Sequence, residues 1–437
     1  MKKTDQLELD FHKSLFDRIC DESSLRQAFR DVKRNKGASG VDNVSVEEFE
    51  CNLEEELSRL RQEVVSWTYT PQPVKRVEVP KPNGGIRLLG IPTVRDRVLQ
   101  TSIKNALEPI IDPTFSENSF GFRPGRSQKQ ALEKARLIVE SGKEYVVDMD
   151  LSKFFDRINH NRLISRLRLL IDDTRVLRII GMTLRCGVMV DGKYQATPIG
   201  SVQGSPLSPL LSNVVLDELD KELEKRGLEF CRFADDCNIF VSSEKAAQRV
   251  KSSISTFVEK KLKLMVNEEK TNVAKSRYVK FLGVTILTVG LCISTAAMSK
   301  AMDKVKELSP RGTHLPIEKS IERFNLWYRG WATYFEVTHF PSQFKRIEAH
   351  FRRRLRAQII KDHKRRKYIC RKLRKRGVRK LTAEKTAYSN NKVWAMSKMS
   401  ASHVAWPNSF FKQMGMYTHS DKELKHWEKS NVRPVLT

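Results

Sequence analysis

Two short apolar runs that end in aspartate constrain this chain more than anything else in it. EYVVDMDL ends at Asp148 and Asp150, and in EFCRFADDCNIFVSS the adjacent pair Asp235–Asp236 sits between two apolar stretches. The first reads as a buried strand with an acidic end, the second as strand–turn–strand. Adjacent carboxylates repel and cost desolvation free energy unless a cation sits between them. The two clusters lie far apart in sequence, so only a fold that aligns both strand ends can unite them. Hard carboxylate oxygens suit Mg2+, and two such ions about 3.5–4 Å apart clamp the attacking and leaving oxygens of a phosphoryl transfer. The competing reading is a set of ordinary turn aspartates, which are common.

Charge narrows the partner. The 437 residues include 80 Lys and Arg against 52 Asp and Glu, a net charge of +28. With a pI near 9.8, the chain is suited to a polyanion. The excess is uneven: residues 301–437 hold 32 basic and 11 acidic residues, and 345–380 alone hold 18 and two. Like charges at helical spacing repel, so this segment needs phosphates nearby unless it is only a solvated helix face. Ile347, Phe351, Leu355 and Ile359 recur every four residues as one apolar stripe, with Arg352, Arg353, Arg354 and Arg356 expected to point away from it. Arg365, Arg366 and the basic residues beyond them continue the charge to Gly377.

Other classes are excluded by pattern. Mean hydropathy is −0.48, and no run of about 18 apolar residues exists to span a bilayer. The N-terminus is too polar and acidic for a signal or transit peptide. Seven cysteines form no CxxC pair, which argues against a zinc ribbon and fits a reducing cytoplasm. Helices are expected over 13–34, broken near Asp21–Ser24, and over 46–68, 94–111, 128–140, 161–187, 206–226 and 244–262. Hairpins are expected around the Pro-Asn-Gly-Gly turn at 82–85 and in GVMVDGKYQAT, with strands over 278–294. The pattern is helical and basic from Ser299 onward, and composition shifts near 295.

Seven blocks in order then resemble one family: RVEVPKPNGGIRLLGIPTVRDRVLQ, SFGFRPGRS, VVDMDLSKFFDRINH, GSVQGSPLSPLLSN, CRFADDCNIF, VNEEKT and KFLGV. The chain is similar, over roughly residues 12–430, to bacterial group II intron-encoded reverse transcriptase/maturases. It is nearest the compact branch that lacks an HNH endonuclease, in keeping with the missing CxxC pairs. The resemblance implies an α+β right-hand polymerase, with fingers and an antiparallel palm sheet, followed by an all-α basic thumb/maturase domain. The implied divisions are 1–68 with a lid loop in RNKGASGVDN, 69–295 for fingers and palm, 296–380 for the thumb, and 381–437 as a further nucleic-acid-binding segment.

The same resemblance implies residue roles. Asp150, Asp235 and Asp236 are the catalytic acids, and Asp150, the Leu151 carbonyl and Asp235 hold two Mg2+ ions, with Mn2+ as a substitute. Phe155 matches the bulky gate that clashes with a 2′-hydroxyl. Lys75, Lys81 and Arg87 lie on the fingers hairpin and grip the triphosphate. Gln203 and Gly204 support the incoming nucleotide, although Ser201–Ser205 departs from the usual Thr-Pro-Gln-Gly-Gly, and Phe233 replaces the usual Tyr. Lys270 assists the pyrophosphate, and Gly283 lies in the primer grip. Arg123 and Arg126 are expected on phosphates, as are Arg352, Arg353, Arg365 and Arg366. FNLWYRGWATYF matches the thumb signature, where Phe324, Trp327, Trp331 and Phe335 read as a packed stripe. Implied partners are group II intron RNA, an RNA template with a DNA or RNA primer, dNTPs and a DNA target, with no membrane. A free-standing domesticated reverse transcriptase, or an RNA-binding maturase with little polymerase activity, are the alternatives.

Overall fold

The computed structural model describes residues 14–80, 84–310, 315–362 and 365–421. Its contacts divide the chain into two compact units, Met1–Lys275 and Ser276–Thr437.

The first unit opens with α1 (Leu15–Cys20) and α2 (Glu22–Arg34). Asp21 ends one and caps the other, its carboxylate accepting from the Ser23 amide, which is the expected break. A Ser45/Glu48 capping box starts α3 (Val46–Cys51). Asn52 then leaves helical geometry, so α4 (Leu53–Val65) is separate where one helix was expected. Next come β1 (Val74–Pro80), β2 (Ile86–Ile91), α5 (Val94–Ile111), α6 (Gln128–Glu140) and β3 (Tyr145–Met149). The predicted helix over 161–187 is instead a helical hairpin, α7 (His160–Leu167) and α8 (Thr174–Leu184), because Asp173 caps a fresh start. The unit continues with β4 (Val188–Val190), β5 (Lys193–Gln195), α9 (Ser208–Lys225), β6 (Glu229–Phe233), β7 (Asp236–Val241), α10 (Glu244–Phe257) and β8 (Asn272–Lys275).

Two sheets result, with orders β2-β1-β4-β5 and β6-β7-β3-β8. The second is wholly antiparallel. Its central strand β3 is buried at Val146, Val147 and Met149, and α6 and α10 pack against the sheet. The edge strand β8 was not foreseen. Its residues, NVAK, carry too little apolar alternation to be read as a strand, and its place comes from pairing with β3.

The second unit begins with β9 (Lys280–Phe281), β10 (Val284–Leu287) and β11 (Gly290–Ile293), one small antiparallel sheet. Helices α11 (Thr295–Leu308), α12 (Ile317–Tyr334), α13 (Ser342–Asp362) and α14 (Arg366–Lys375) follow, then four short ones: α15 (Lys380–Ala387), α16 (Val393–Met396), α17 (Ser400–Ala405) and α18 (Asn408–Gln413). The small sheet groups with these helices because they bond to it. The Tyr334 hydroxyl donates to the Leu282 carbonyl at 3.2 Å, and the Ile293 amide donates to Gln343 Oε1 at 2.9 Å. The expected apolar stripe is buried in full at Ile347, Phe351, Leu355 and Ile359. Phe351 stacks on Phe324 with centroids 3.9 Å apart, and Trp327, Trp331 and Phe335 extend the stack along α12. The aromatic signature is therefore core packing, as read.

Candidate active site

The β3–β7 ladder aligns the acids. Asp148 faces Asn238 and Met149 faces Cys237, so the next step of the register sets Asp150 beside Asp236. The β6–β7 hairpin closes with Phe233 opposite Asp236, leaving a two-residue turn of Ala234 and Asp235. Ala234 sits at φ +59°, the first central position of a type II′ turn, where glycine is the usual occupant. The sheet thus unites the two clusters at one strand end, and Asp148 lies one step inside it.

The 265–271 segment wraps the backbone at Asp150. The Asn267 amide donates to the Asp150 carbonyl at 2.8 Å, and the Asp150 amide donates to Thr271 Oγ1 at 3.2 Å. Lys270 Nζ stands 3.7 Å from Asp150 Oδ2, so Lys270 does join the site. Leu151 faces Val266 in a bridge whose flanking bonds come from Asn267 to Asp150 and from Ser152 to Met265. Such a pair exchanges no bonds itself, so the Leu151 carbonyl turns to the other side, toward β7. The oxygens available there to a cation are then those of two or three carboxylates and one carbonyl. Among the described residues no three His, Cys, Asp or Glu side chains cage an ion by themselves. That set fits Mg2+, which is usually held by one or two carboxylates while phosphates and water complete its shell.

What positions the turn was not read from the sequence. Arg232, fully buried, donates to the Asp220 carboxylate at 2.7 and 2.5 Å, to Asn213 Oδ1 at 2.9 Å and to the Ala234 carbonyl at 2.8 Å. Asn213 in turn donates to the Gly121 carbonyl at 2.9 Å. A Cβ on Gly121 would lie 2.2 Å from the Ala234 amide nitrogen, so only glycine lets SFGFRPGRS lie against the turn. The only signal was a charged residue inside an apolar strand, with Asn213 and Asp220 seven residues apart on one helix.

The nucleotide residues gather less tightly. Phe155 is half-buried, edge-on to Phe154 with centroids 5.2 Å apart. The Ser201 amide donates to its carbonyl at 2.7 Å, which ties the Gln203–Gly204 loop to the gate. Gly204 has φ +115°, and a Cβ there would lie 2.6 Å from the Gly90 carbonyl oxygen. Both end residues of the Ser201–Ser205 departure are hydrogen-bonded. Ser201 bonds Ser208 at 2.7 Å, and Ser205 donates to Gln100 at 2.7 Å. Next to it, buried His160 donates from Nε2 to the Gly200 carbonyl at 2.6 Å, and burial lowers its pKa. On the hairpin, Lys75 pairs with Ile91 and Val79 with Arg87. Lys75 and Arg87 therefore share one face, about 13 Å apart along it. Lys81 lies outside the described residues.

The arginines expected on nucleic acid divide. Arg123 is a correction: its side chain is 3% exposed and spends its donors on Asp112 and on the Ser116 and Ser119 carbonyls, stapling its own loop. Arg126 pairs with Glu117 beside the Phe120 ring. On α13 the four arginines do not point away from the core as expected. Arg354 is buried on Ser309 at 2.8–2.9 Å, and Arg356 is buried on the Trp406 carbonyl at 2.8 Å; burial drops the Arg356 guanidinium to about 10. Arg353 lies 3.9 Å above the Trp394 ring, and Arg352, 11% exposed, stands 3.7 Å from Glu348. With so few acids nearby, carbonyls and rings take up these cations. Arg365 is exposed, and Arg366 is exposed yet bonds the Ala387 carbonyl at 3.1 Å.

Comparison with known proteins places the chain in a family. Residues 79–286 match the reverse transcriptase (RNA-dependent DNA polymerase) family, and residues 298–378 match the group II intron maturase-specific domain. Protein YkfC of Escherichia coli K12 is 33% identical over 57% of this chain and 76% of its own length. The group II intron-encoded protein LtrA of Lactococcus lactis is 30% identical over 68% of this chain, and the match spans 60% of LtrA. The retron Mx65 reverse transcriptase of Myxococcus xanthus is 30% identical over 51% of this chain and 54% of its own. Acids at the β3–β7 strand ends, inside the reverse transcriptase match and followed by a maturase-specific domain, fix the family: this chain belongs to the group II intron-encoded reverse transcriptases, which are RNA-directed DNA polymerases.

Proposed function

We propose that the chain copies RNA into DNA at the β3–β7 strand ends by two-metal nucleotidyl transfer, and that it binds group II intron RNA to assist splicing and mobility. The observation that carries the polymerase reading is the register that sets Asp150 beside Asp236 and the Ala234–Asp235 turn. Asp150, Asp235 and the Leu151 carbonyl are the groups that would hold Mg2+, with Mn2+ as a substitute. The bound ions would neutralise triphosphate charge and lower the pKa of the primer 3′-hydroxyl.

The other residues bind and orient. Phe155, braced by Phe154, closes the space a 2′-hydroxyl would occupy. Lys75 and Arg87 offer two cations on one hairpin face to the triphosphate, where they offset developing charge. Lys270, beside Asp150, is placed for the departing pyrophosphate. Gln203 and Gly204 form the wall against which a base pair would rest. The RNA template, its DNA or RNA primer, dNTPs and a DNA target are the partners, and a cytoplasmic setting suits them. Among the described residues no helix is long and apolar enough to cross a membrane.

Primer extension on an RNA template with dNTPs and Mg2+ tests this. Asp235→Ala with Asp236→Ala should abolish synthesis, a loss of several kcal/mol in transition-state stabilisation, while RNA binding stays intact. Extension by the double variant at the wild-type rate would overturn the site assignment.

A further inference from the structure

The α7–α8 hairpin carries a groove that the polymerase site does not use. Asn161 and Ser165 on α7 and Arg168 at its C-cap line it, at spacings of three to four residues. Thr174, Arg178, Gly181 and Arg185 line it from one face of α8. The helices run antiparallel, since Arg185 near the end of α8 donates to Asn161 near the start of α7 at 3.3 Å. The groove encloses about 460 Å3. A Cβ on Gly181 would lie 3.1 Å from Arg185 Nη1, so a larger residue there would shift that guanidinium.

Its charge is one-sided. Arg168, Arg178 and Arg185 are all exposed. No acid lines the groove, and among the described residues no ion pair joins a carboxylate to any of the three. Two of them are held in place. Arg178 lies 4.5 Å over the Trp67 ring, and Arg185 donates to Asn161 and to the Gly181 carbonyl. From Thr174 to Arg185 the row spans about 16 Å of helix at 1.5 Å per residue. Preorganised guanidinium groups in a row suit a run of phosphates. Asn161, Ser165 and Thr174 stand among them with neutral donors and acceptors, the chemistry that meets a 2′-hydroxyl. The groove also starts one residue after His160, which is bonded to the loop carrying Gln203 and Gly204.

We propose that this groove binds the sugar–phosphate backbone of RNA, outside the polymerase cleft and without base readout. This rests on the reading of the chain as an RNA-copying enzyme. The test compares wild type with Arg168→Gln/Arg178→Gln/Arg185→Gln and, separately, with Ser165→Glu, which adds a carboxylate at an exposed helical position. Binding of an unstructured RNA and of the same sequence as single-stranded DNA is measured across salt, alongside extension of a short annealed template–primer at saturation. Both variants should weaken RNA binding, the triple by about tenfold or more at low salt, with the log K against log[salt] slope shallower by up to about 0.7 per phosphate lost. The loss for DNA should be smaller, and kcat should not change.

Unchanged RNA affinity and slope in both variants would overturn the groove while leaving polymerase activity standing. Loss of extension in Asp235→Ala/Asp236→Ala tests the polymerase reading separately. An equal loss from Lys245→Gln/Arg249→Gln/Lys260→Gln, three exposed cations elsewhere on the unit, would reduce the effect to bulk charge and also overturn the proposal. Equal losses for RNA and DNA would overturn the choice of RNA.

Discussion

At the scale of single residues, the Ala234–Asp235 turn is held by an ion pair buried away from solvent. Arg232 and Asp220 are 1% and 0% exposed, so each guanidinium donor must find a protein acceptor, and one of them is the Ala234 carbonyl. Removing the cation leaves Asp220 uncompensated, and burial already pushes that carboxyl upward. Arg232→Met should therefore cost about 3–5 kcal/mol in chemical denaturation. It should also lower extension at a temperature where the variant is folded, because the turn loses its anchor. Normal stability in this variant would show that the pair is dispensable. Phe155 supports a different measurement. Phe155→Val opens space next to the sugar, so the dNTP over rNTP ratio of kcat/KM should fall about tenfold or more. An unchanged ratio would return Phe155 to a packing role beside Phe154.

At the scale of elements, α13 and α14 share a basic sequence but divide its work. On α13 the arginines are drawn inward: Arg354 and Arg356 bond carbonyls of other segments, and Arg353 covers Trp394. On α14, Ile369, Cys370 and Leu373 are buried, while Arg371, Arg374 and Lys375 remain exposed. Arg354→Ala should lower Tm, a loss of about 1–3 kcal/mol for the acceptors left bare on Ser309, with little effect on the salt slope of RNA binding. Arg371→Gln/Arg374→Gln/Lys375→Gln should do the reverse: unchanged Tm, weaker binding to unrelated RNAs and a shallower slope. Thermal melts and salt titrations on both variants check this, and the opposite pattern would reverse the roles of the two helices.

At the scale of the whole molecule, net charge governs encounter with nucleic acid more than any single contact. A chain of +28 that neutralises some 6–10 phosphates should lose about 10³–10⁵ in RNA affinity between 50 and 200 mM salt. Fluorescence anisotropy on one labelled RNA measures this directly, and a flat response would mean that binding rests on something other than phosphate contacts. The charge is also partitioned, because residues 301–437 hold 32 basic against 11 acidic residues, whereas 1–300 hold 48 against 41. The steepest salt dependence should therefore follow the second unit's exposed cations.

Much of this was legible along the chain because it depends on neighbours in sequence. The acidic strand ends, the Asp21 break between α1 and α2, the two hairpins and the stripe of α13 are local patterns of period, cap and turn. They determine which elements form and which residues can do the chemistry. Only the tertiary structure decided what lies against what. Strand β8 exists because β3 offers it an edge. Arg232 becomes the anchor of the Ala234–Asp235 turn because α9 brings Asp220 and Asn213 to it. Arg123 staples its own loop through Asp112 and the Ser116 and Ser119 carbonyls, while Arg353, Arg354 and Arg356 turn inward because carbonyls far away in sequence converge on them. A charged side chain in a sequence carries no mark of whether it will meet water, phosphate or a buried carbonyl: that depends on desolvation, and desolvation is set by the packing of distant segments.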